Sequence, residues 1–116
     1  MDKNNADIED AMFYLKMIGH GSDIGTIKPY YKILNDRNSD DFKRFISVYT
    51  KFKDSLSEKE QFVLDEIYGV NKKHVTLKTA GEMLGVGPER ARQITKKAEF
   101  RMVSLINKRL KENTEE

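Results

Sequence analysis

Apolar residues recur every three or four positions along most of the chain, which is the spacing of amphipathic helices. Residues 7–18 carry the first stripe, which consists of Ile8, Met12, Leu15 and Ile18. A second stripe follows Ser39 or Asp40, either of which can cap a helix, and it is formed by Phe42, Phe45, Ile46, Tyr49 and Phe52. Residues 23–38 are ambiguous, although Pro29 can begin a short helix that reaches Leu34.

A third helix is predicted from a capping box, in which Ser57 precedes Glu60 by three residues. This helix begins at Glu58 and carries the apolar residues Phe62, Val63, Leu64 and Ile67. Gly69 is placed to end it, because glycine adopts the left-handed backbone of a helix C-cap at little cost. With no strand pattern elsewhere, the sequence predicts an all-α fold.

Two further helices follow, joined by a short turn that contains glycine. Thr76 can cap the first of them, and its apolar face carries Leu77, Ala80, Met83 and Leu84. Gly85 suits the end of that helix, while Gly87 and Pro88 suit the cap and first position of the next. Gly81 lies where the second helix must cross the first closely. This arrangement predicts a helix-turn-helix, whose second helix can enter the DNA major groove.

The second of these helices has two distinct faces. Its inner face carries Ala91, Ile94 and Ala98, and the outer face carries Glu89, Arg90, Arg92, Gln93, Lys96 and Lys97. An ordinary hairpin in a helical bundle is the alternative, but four cations and a glutamine on one outer face favour a DNA-reading helix. The apolar stripe continues through Met102, Leu105, Ile106 and Leu110, which predicts a long C-terminal helix with a frayed tail over residues 113–116.

Three residues of the outer face have side chains that suit base edges. Gln93 can form two hydrogen bonds with adenine, and Arg92 can donate to guanine or to a phosphate. Glu89, near the helix start, can accept from the amino group of cytosine.

The remaining cations suit the phosphate backbone. Arg90, Lys96 and Lys97 are placed to hold phosphates, which adds affinity without sequence preference. The start of the preceding helix, near Thr76 and Lys78, offers a further phosphate site. Residues 71–111 contain eleven Lys/Arg and three Asp/Glu, a net charge of +8, whereas residues 1–55 contain nine of each. This uneven distribution favours attraction to nucleic acid.

Residues 56–103 resemble the fourth conserved region of bacterial sigma factors. The matching residues are Leu56-Ser57-Glu58-Lys59-Glu60, Val63-Leu64, Tyr68-Gly69-Val70, Thr76-Leu77, Gly81, Leu84-Gly85-Val86, Glu89-Arg90-Ala91-Arg92-Gln93-Ile94 and Lys97-Ala98. The resemblance implies a domain that reads the upstream promoter hexamer and grips a flap of RNA polymerase. It covers one sigma domain, without a counterpart of the promoter-melting domain.

The chain departs from the family pattern immediately before Glu89. Where the family commonly has threonine followed by a basic residue, this chain has Gly87 and Pro88. A hydroxyl cap and a base-reading cation are therefore missing. We expect a different or weaker hexamer preference, or none.

Composition restricts the other functional classes. The 116 residues contain no cysteine, which excludes disulfides and thiolate chemistry. No apolar run reaches the roughly 18 residues of a membrane span, and no secretory signal is present at the start. We find no catalytic constellation, phosphate-binding glycine loop or metal-ligand cluster, and therefore expect neither an enzyme nor a cofactor. A cytoplasmic location in a bacterium, or a phage-encoded protein, is expected.

The sequence predicts a helical N-terminal extension over residues 1–55, of unknown role, and a helix-turn-helix domain over residues 56–112. The first functional hypothesis is a transcription regulator that binds double-stranded promoter DNA and RNA polymerase. The alternative is a protein-interaction module that binds polymerase or a sigma factor with little DNA binding of its own. Its contact residues would be Phe42, Phe45, Tyr49, Phe52 and Phe100, although an aromatic stripe is more often core. A recombinase fragment has little support.

Overall fold

A computed structural model describes residues 2–19 and 28–114 of the chain. It contains five α-helices: α1 (Asp2–Met17), α2 (Asp40–Phe52), α3 (Glu58–Tyr68), α4 (Leu77–Leu84) and α5 (Pro88–Thr114). Short 3-10 helices occupy Pro29–Lys32 and Lys53–Ser55. No strand occurs among these residues, so the all-α prediction is confirmed. None of the described helices is both long and apolar enough to cross a lipid bilayer.

The N-caps predicted for three of the helices form in the structure. The Ser39 hydroxyl accepts a hydrogen bond from the Phe42 amide, and Ser57 and Glu60 form the complete capping box of α3. Thr76 caps α4 by accepting from the Thr79 amide. These bonds satisfy amide groups that have no partner inside the helix, which is why each helix begins where it does.

At both ends of the chain, the helix boundaries differ from those that the apolar periodicity predicted. The first helix begins at Asp2, earlier than the predicted residue 7, and its buried face is centred on Tyr14 and not on Met12, which is 58% exposed. At the other end, α5 extends through Thr114 and so includes two residues of the predicted frayed tail. Residues 115 and 116 lie outside the described part.

The described residues of the N-terminal region share one hydrophobic core with those of the helix-turn-helix region. Tyr14, Tyr30, Phe45, Tyr49 and Tyr68 form its aromatic centre, with edge-to-face and stacked ring contacts at centroid distances of 4.7–6.3 Å. Such pairs add to the stabilisation from apolar burial. The extension is therefore packed into the same unit as the helices that follow it.

This packing corrects one interpretation of the aromatic stripe in α2. Phe42, Phe45 and Tyr49 are 6%, 0% and 0% exposed, so the proposal that they dock a partner is wrong for all three. Phe52 is half-buried and packs against the same core. The core interpretation is confirmed because the stripe faces α1 and α3 and not solvent.

A buried polar chain crosses this core and ends on α5. The Tyr68 hydroxyl donates to Glu99 Oε2 at 2.7 Å and lies 2.9 Å from the Tyr14 hydroxyl. Because Tyr68 has one hydroxyl proton and gives it to the carboxylate, Tyr14 is the donor to Tyr68. Glu99 is 4% exposed, and its Oε1 lies 3.4 Å from Lys28 Nζ. The chain thus connects the N-terminal region to the helix that carries the predicted reading face.

Glu99 predicts a measurable pH dependence of stability. Burial raises the pKa of Glu99 above its ordinary value, although the charge of Lys28 and the hydrogen bond from Tyr68 act in the opposite direction. Ionisation of Glu99 is thus less favourable in the folded than in the unfolded chain, and its contribution to stability falls as pH rises through the folded pKa. Glutamine has nearly the same shape and does not ionise.

We therefore expect wild type to lose stability relative to Glu99→Gln as the pH is raised from about 4 towards neutrality. Urea unfolding of both proteins across this pH range measures the difference. Two stability curves that remain parallel would contradict the prediction.

Candidate nucleic-acid interface

Backbone hydrogen bonds stabilise the turn between α4 and α5. Gly85 has a left-handed φ of +77° and ends α4, and the Val86 amide donates to the Gly81 carbonyl at 2.8 Å. Pro88 occupies the first position of α5, where its missing N–H removes no helix bond. The Ala91 amide then donates to the Gly87 carbonyl at 3.0 Å, which begins the helix ladder.

Gly81 permits the close approach that the sequence predicted. A Cβ at this position would lie 2.8 Å from the Val86 carbonyl oxygen, 3.1 Å from that of Gly87 and 3.3 Å from the Ala91 Cβ. The two closest atoms therefore belong to the turn, and the third belongs to α5. Only hydrogen at Gly81 leaves room for both, and this fixes the position of α5 against α4.

Helix α5 separates its buried and exposed residues along its first three turns. Ala91, Ile94, Thr95 and Ala98 are buried, at 0–7% exposure. All the outer-face residues predicted from the sequence are exposed: Glu89, Arg90, Arg92, Gln93, Lys96 and Lys97. The structure thus brings these six together on one solvent-facing surface, which we call the α5 outer face.

Thr76 and Lys78 lie on the exposed start of α4. The Thr76 hydroxyl accepts from the Thr79 amide at 3.1 Å and lies 3.2 Å from the Thr79 hydroxyl. That amide is therefore already occupied by the cap. The exposed Lys78 ammonium remains available to a phosphate at this helix start.

Two residues of the α5 outer face are paired with each other. Arg92 Nε donates to Glu89 Oε1 at 3.1 Å, and Arg92 Nη2 donates to Glu89 Oε2 at 2.7 Å. The hydrogen bond from Arg92 lowers the pKa of Glu89 below its ordinary value. Glu89, which the sequence suggested as an acceptor for cytosine, thus accepts two hydrogen bonds from Arg92 in the free protein, and a hydrogen bond from Gln93 also lowers its pKa.

Phe100 follows the cations on the same helix and is 65% exposed. It borders a shallow depression of about 440 Å³, which is lined by Ser55, Lys97, Phe100, Arg101, Ser104 and Leu105. This is an apolar side chain at the edge of a basic surface.

Arg37 holds the loop that precedes α4, a role that the sequence did not reveal. Its Nη1 donates to the Gly69 carbonyl at 2.7 Å and to the Lys72 carbonyl, and its guanidinium lies 5.3 Å from the centre of the Phe42 ring. These contacts tie the N-terminal region to the loop that precedes α4. No signal in the sequence marks the partners, because they are backbone oxygens more than thirty residues away.

A short α4, a glycine turn and an α5 with an exposed cationic face together define a helix-turn-helix protein. Residues 54–99 match the family described as Sigma-70, region 4, and this match supports a sigma-70 region 4 domain in that part of the chain. The match covers α3, α4 and the first part of α5, in agreement with the resemblance predicted for residues 56–103. Comparison with curated proteins and with solved structures gave no match.

The match also suggests a DNA-binding helix-turn-helix region of a sigma factor or a related regulator. The family consists of DNA-binding regulatory domains that associate with RNA polymerase. Residues 1–53 lie outside the matched segment, although part of this region shares its core.

Proposed function

We propose that this protein is a transcription regulator that reads promoter DNA through α5 and contacts RNA polymerase. The observation that carries the proposal is the α5 outer face, where Arg90, Arg92, Gln93, Lys96 and Lys97 are exposed together. A helix presented in this way fits the major groove, with its polar side chains towards base edges and phosphates.

Electrostatics support the proposal more strongly than the formal charge suggests. Residues 71–111 have a net charge of +8. Glu99 is one of the three acidic residues in this segment. Because Glu99 is buried and lies beside Lys28, it does little to offset the cations at the surface. The potential near α5 therefore favours a polyanion.

Contact with RNA polymerase is the second part of the proposal. It rests on the family, whose domains associate with that enzyme. The promoter-reading surface and a polymerase-binding surface need different parts of the domain, and the α5 outer face is assigned here to DNA.

Selection of bound duplexes from a random DNA pool tests the proposal directly. We expect the protein to enrich one sequence motif, and polymerase to strengthen that enrichment. Absence of detectable binding to any duplex at low salt would overturn the DNA-binding part of the proposal.

Lys96 and Lys97 provide a prediction about salt. Each lysine that holds a phosphate releases condensed counterions, so Lys96→Ala and Lys97→Ala should each reduce the slope of log K against log salt by about one unit. Binding titrations on the selected duplex at several salt concentrations measure the slope. Lys43→Ala, at an exposed site in the neutral N-terminal region, is the matched control and should leave it unchanged. Equal slopes for all four proteins would show that the two lysines do not touch DNA.

The exposed side chain of Phe100 favours a second candidate function. At 65% exposure beside a shallow basic depression, it can serve a protein-interaction module that binds polymerase or a sigma factor. Direct promoter reading requires the α5 outer face, so a variant with Arg92→Glu and Lys96→Glu should lose DNA binding under the first hypothesis. Capture of polymerase by wild type that is lost in Phe100→Ala, without enrichment of any duplex by wild type, would support the interaction module over direct promoter reading.

A further inference from the structure

The shallow depression beside Phe100 combines one exposed ring with two cations and two hydroxyl groups. It lies between α5 and Ser55, the last residue of the 3-10 helix that precedes α3. Lys97, Phe100 and Ser104 are three or four residues apart on α5, so their side chains are neighbours on the helix surface. Its volume of about 440 Å³ is within the range of about 300–1,000 Å³ for pockets that hold one small ligand.

Phe100 supplies the apolar part of this depression. Its side chain is 65% exposed, whereas Ala98, Glu99 and Met102 on either side of it are buried. The ring therefore adds little to the core of the protein. A flat aromatic ring that is open to solvent beside cations can stack with a nucleic-acid base, and every base has a face for such stacking.

Arg101 is anchored at the wall of the depression by a buried carboxylate. Its Nε donates to Glu60 Oε2 at 3.1 Å, and Glu60 is 4% exposed. Glu60 Oε1 accepts from the Ser57 amide at 3.0 Å, so both carboxylate oxygens are held. The contact uses only Nε of the arginine. Its two terminal nitrogens remain to donate to a phosphate, in the fork that suits phosphate oxygens.

We propose that the depression binds a nucleotide, with the base stacked on Phe100 and the phosphate held by Arg101 and Lys97. Ser55 and Ser104 are exposed at the same place, and their hydroxyls can meet sugar or phosphate oxygens. A free nucleoside phosphate and an unpaired nucleotide of a DNA strand both supply this chemistry. The inference goes beyond the proposed function, because it assigns a ligand to a part of α5 that does not read the promoter.

The layout of the depression favours a nucleotide over an acidic peptide. A helical peptide is held by several apolar contacts spaced along a groove. Among the residues that line this depression, Phe100 is the one exposed apolar side chain, and Leu105 is half-buried. A single ring surrounded by hydrogen-bond donors matches one base with its phosphate.

Calorimetric titration of the full chain with ATP, adenosine and inorganic triphosphate tests the proposal. ATP should bind more tightly than either of its parts. Phe100→Ala should weaken ATP binding roughly 5- to 150-fold, whereas Phe100→Tyr keeps the ring and should bind as wild type does. Lys97→Gln should weaken the binding of ATP but not that of adenosine. Met83→Ala removes an apolar side chain that is 53% exposed on α4, and this matched control should leave ATP binding unchanged.

Titration with a short single-stranded oligothymidylate distinguishes the two sources of the nucleotide. Binding that depends on Phe100, without binding of ATP, would assign the site to a DNA strand. Equal affinity for inorganic triphosphate and ATP, or equal ATP affinity in wild type and Phe100→Ala, would overturn the proposal.

Two further results would also overturn it: no binding of ATP or oligothymidylate, and binding through Phe100 of an acidic peptide alone. Circular dichroism of each variant checks that it folds, which we expect because Phe100, Lys97 and Met83 are all exposed. These titrations contain no duplex DNA. Their failure would therefore leave promoter reading intact, and failure of promoter reading would leave the nucleotide site intact.

Discussion

Replacement of Tyr68 by alanine is expected to lower the free energy of unfolding by about 3–5 kcal/mol, the usual cost of removing a buried aromatic ring. Tyr68 is fully buried, and its ring contacts those of Tyr14, Tyr30, Phe45 and Tyr49. The loss is a large part of the roughly 5–15 kcal/mol that stabilises a typical domain. Urea unfolding followed by circular dichroism measures it.

The variant Tyr68→Phe separates the ring from its hydroxyl. Phenylalanine keeps the ring contacts but leaves the Tyr14 hydroxyl without its partner and removes one of the donors to Glu99, at a cost of about 1–3 kcal/mol. We therefore expect Tyr68→Phe to lie between wild type and Tyr68→Ala. If Tyr68→Ala has the same free energy of unfolding as wild type, the aromatic centre does not hold the two regions together.

Replacement of Gly81 by alanine is expected to destabilise the protein and weaken DNA binding together. The new methyl group would lie 2.8 Å from a backbone oxygen, which cannot move aside by changing a rotamer. Overpacking typically costs about 1–3 kcal/mol, while alanine regains up to about 1 kcal/mol over glycine in a helix. We expect a net loss of about 1–2 kcal/mol, together with a displaced α5 that fits the groove less well. Thermal unfolding and duplex titration measure the two effects.

Gly87 supplies the matched control for Gly81. A Cβ at Gly87 meets nothing within 4 Å, and its φ lies outside the range that disfavours side chains. Serine adds a Cβ there and remains a favourable N-cap, so Gly87→Ser should change stability by no more than about 0.5 kcal/mol. Similar losses for the two variants would mean that the turn tolerates no side chain anywhere, and that close crossing at Gly81 is not the cause.

Most of the helix-turn-helix was predictable because its signals are local. The cap at Thr76, the left-handed Gly85 and the first-position Pro88 act within one or two turns of the residues they affect. The spacing of the outer-face cations follows from helix geometry alone. Physical reasoning over a short window is sufficient in such cases.

The buried contacts between the two halves of the chain were not predictable in the same way. Glu99 reads as one more surface acid in a basic stretch, yet it is held by Tyr68, which is 31 residues away. Tyr14 reaches Tyr68 across 54 residues. No periodicity in the sequence shows which distant side chains will meet.

The aromatic stripe of α2 illustrates a further limit. A row of Phe and Tyr at helical spacing has the same pattern whether it faces a core or a partner protein. The outcome depends on what packs against it, and here α1 and α3 supply the rings that cover Phe45 and Tyr49. The sequence therefore predicted the helix but not which elements pack against it.

The shared core has a consequence for genetics. If the protein binds DNA as proposed, substitutions at Tyr14 or Lys28 should lower the fraction of molecules that can bind, because both residues support Glu99 on the helix that carries the outer face. A screen for loss-of-function alleles should therefore recover many substitutions in the first third of the chain. Raising the cellular dose or lowering the growth temperature should rescue those alleles, but not alleles of Arg92.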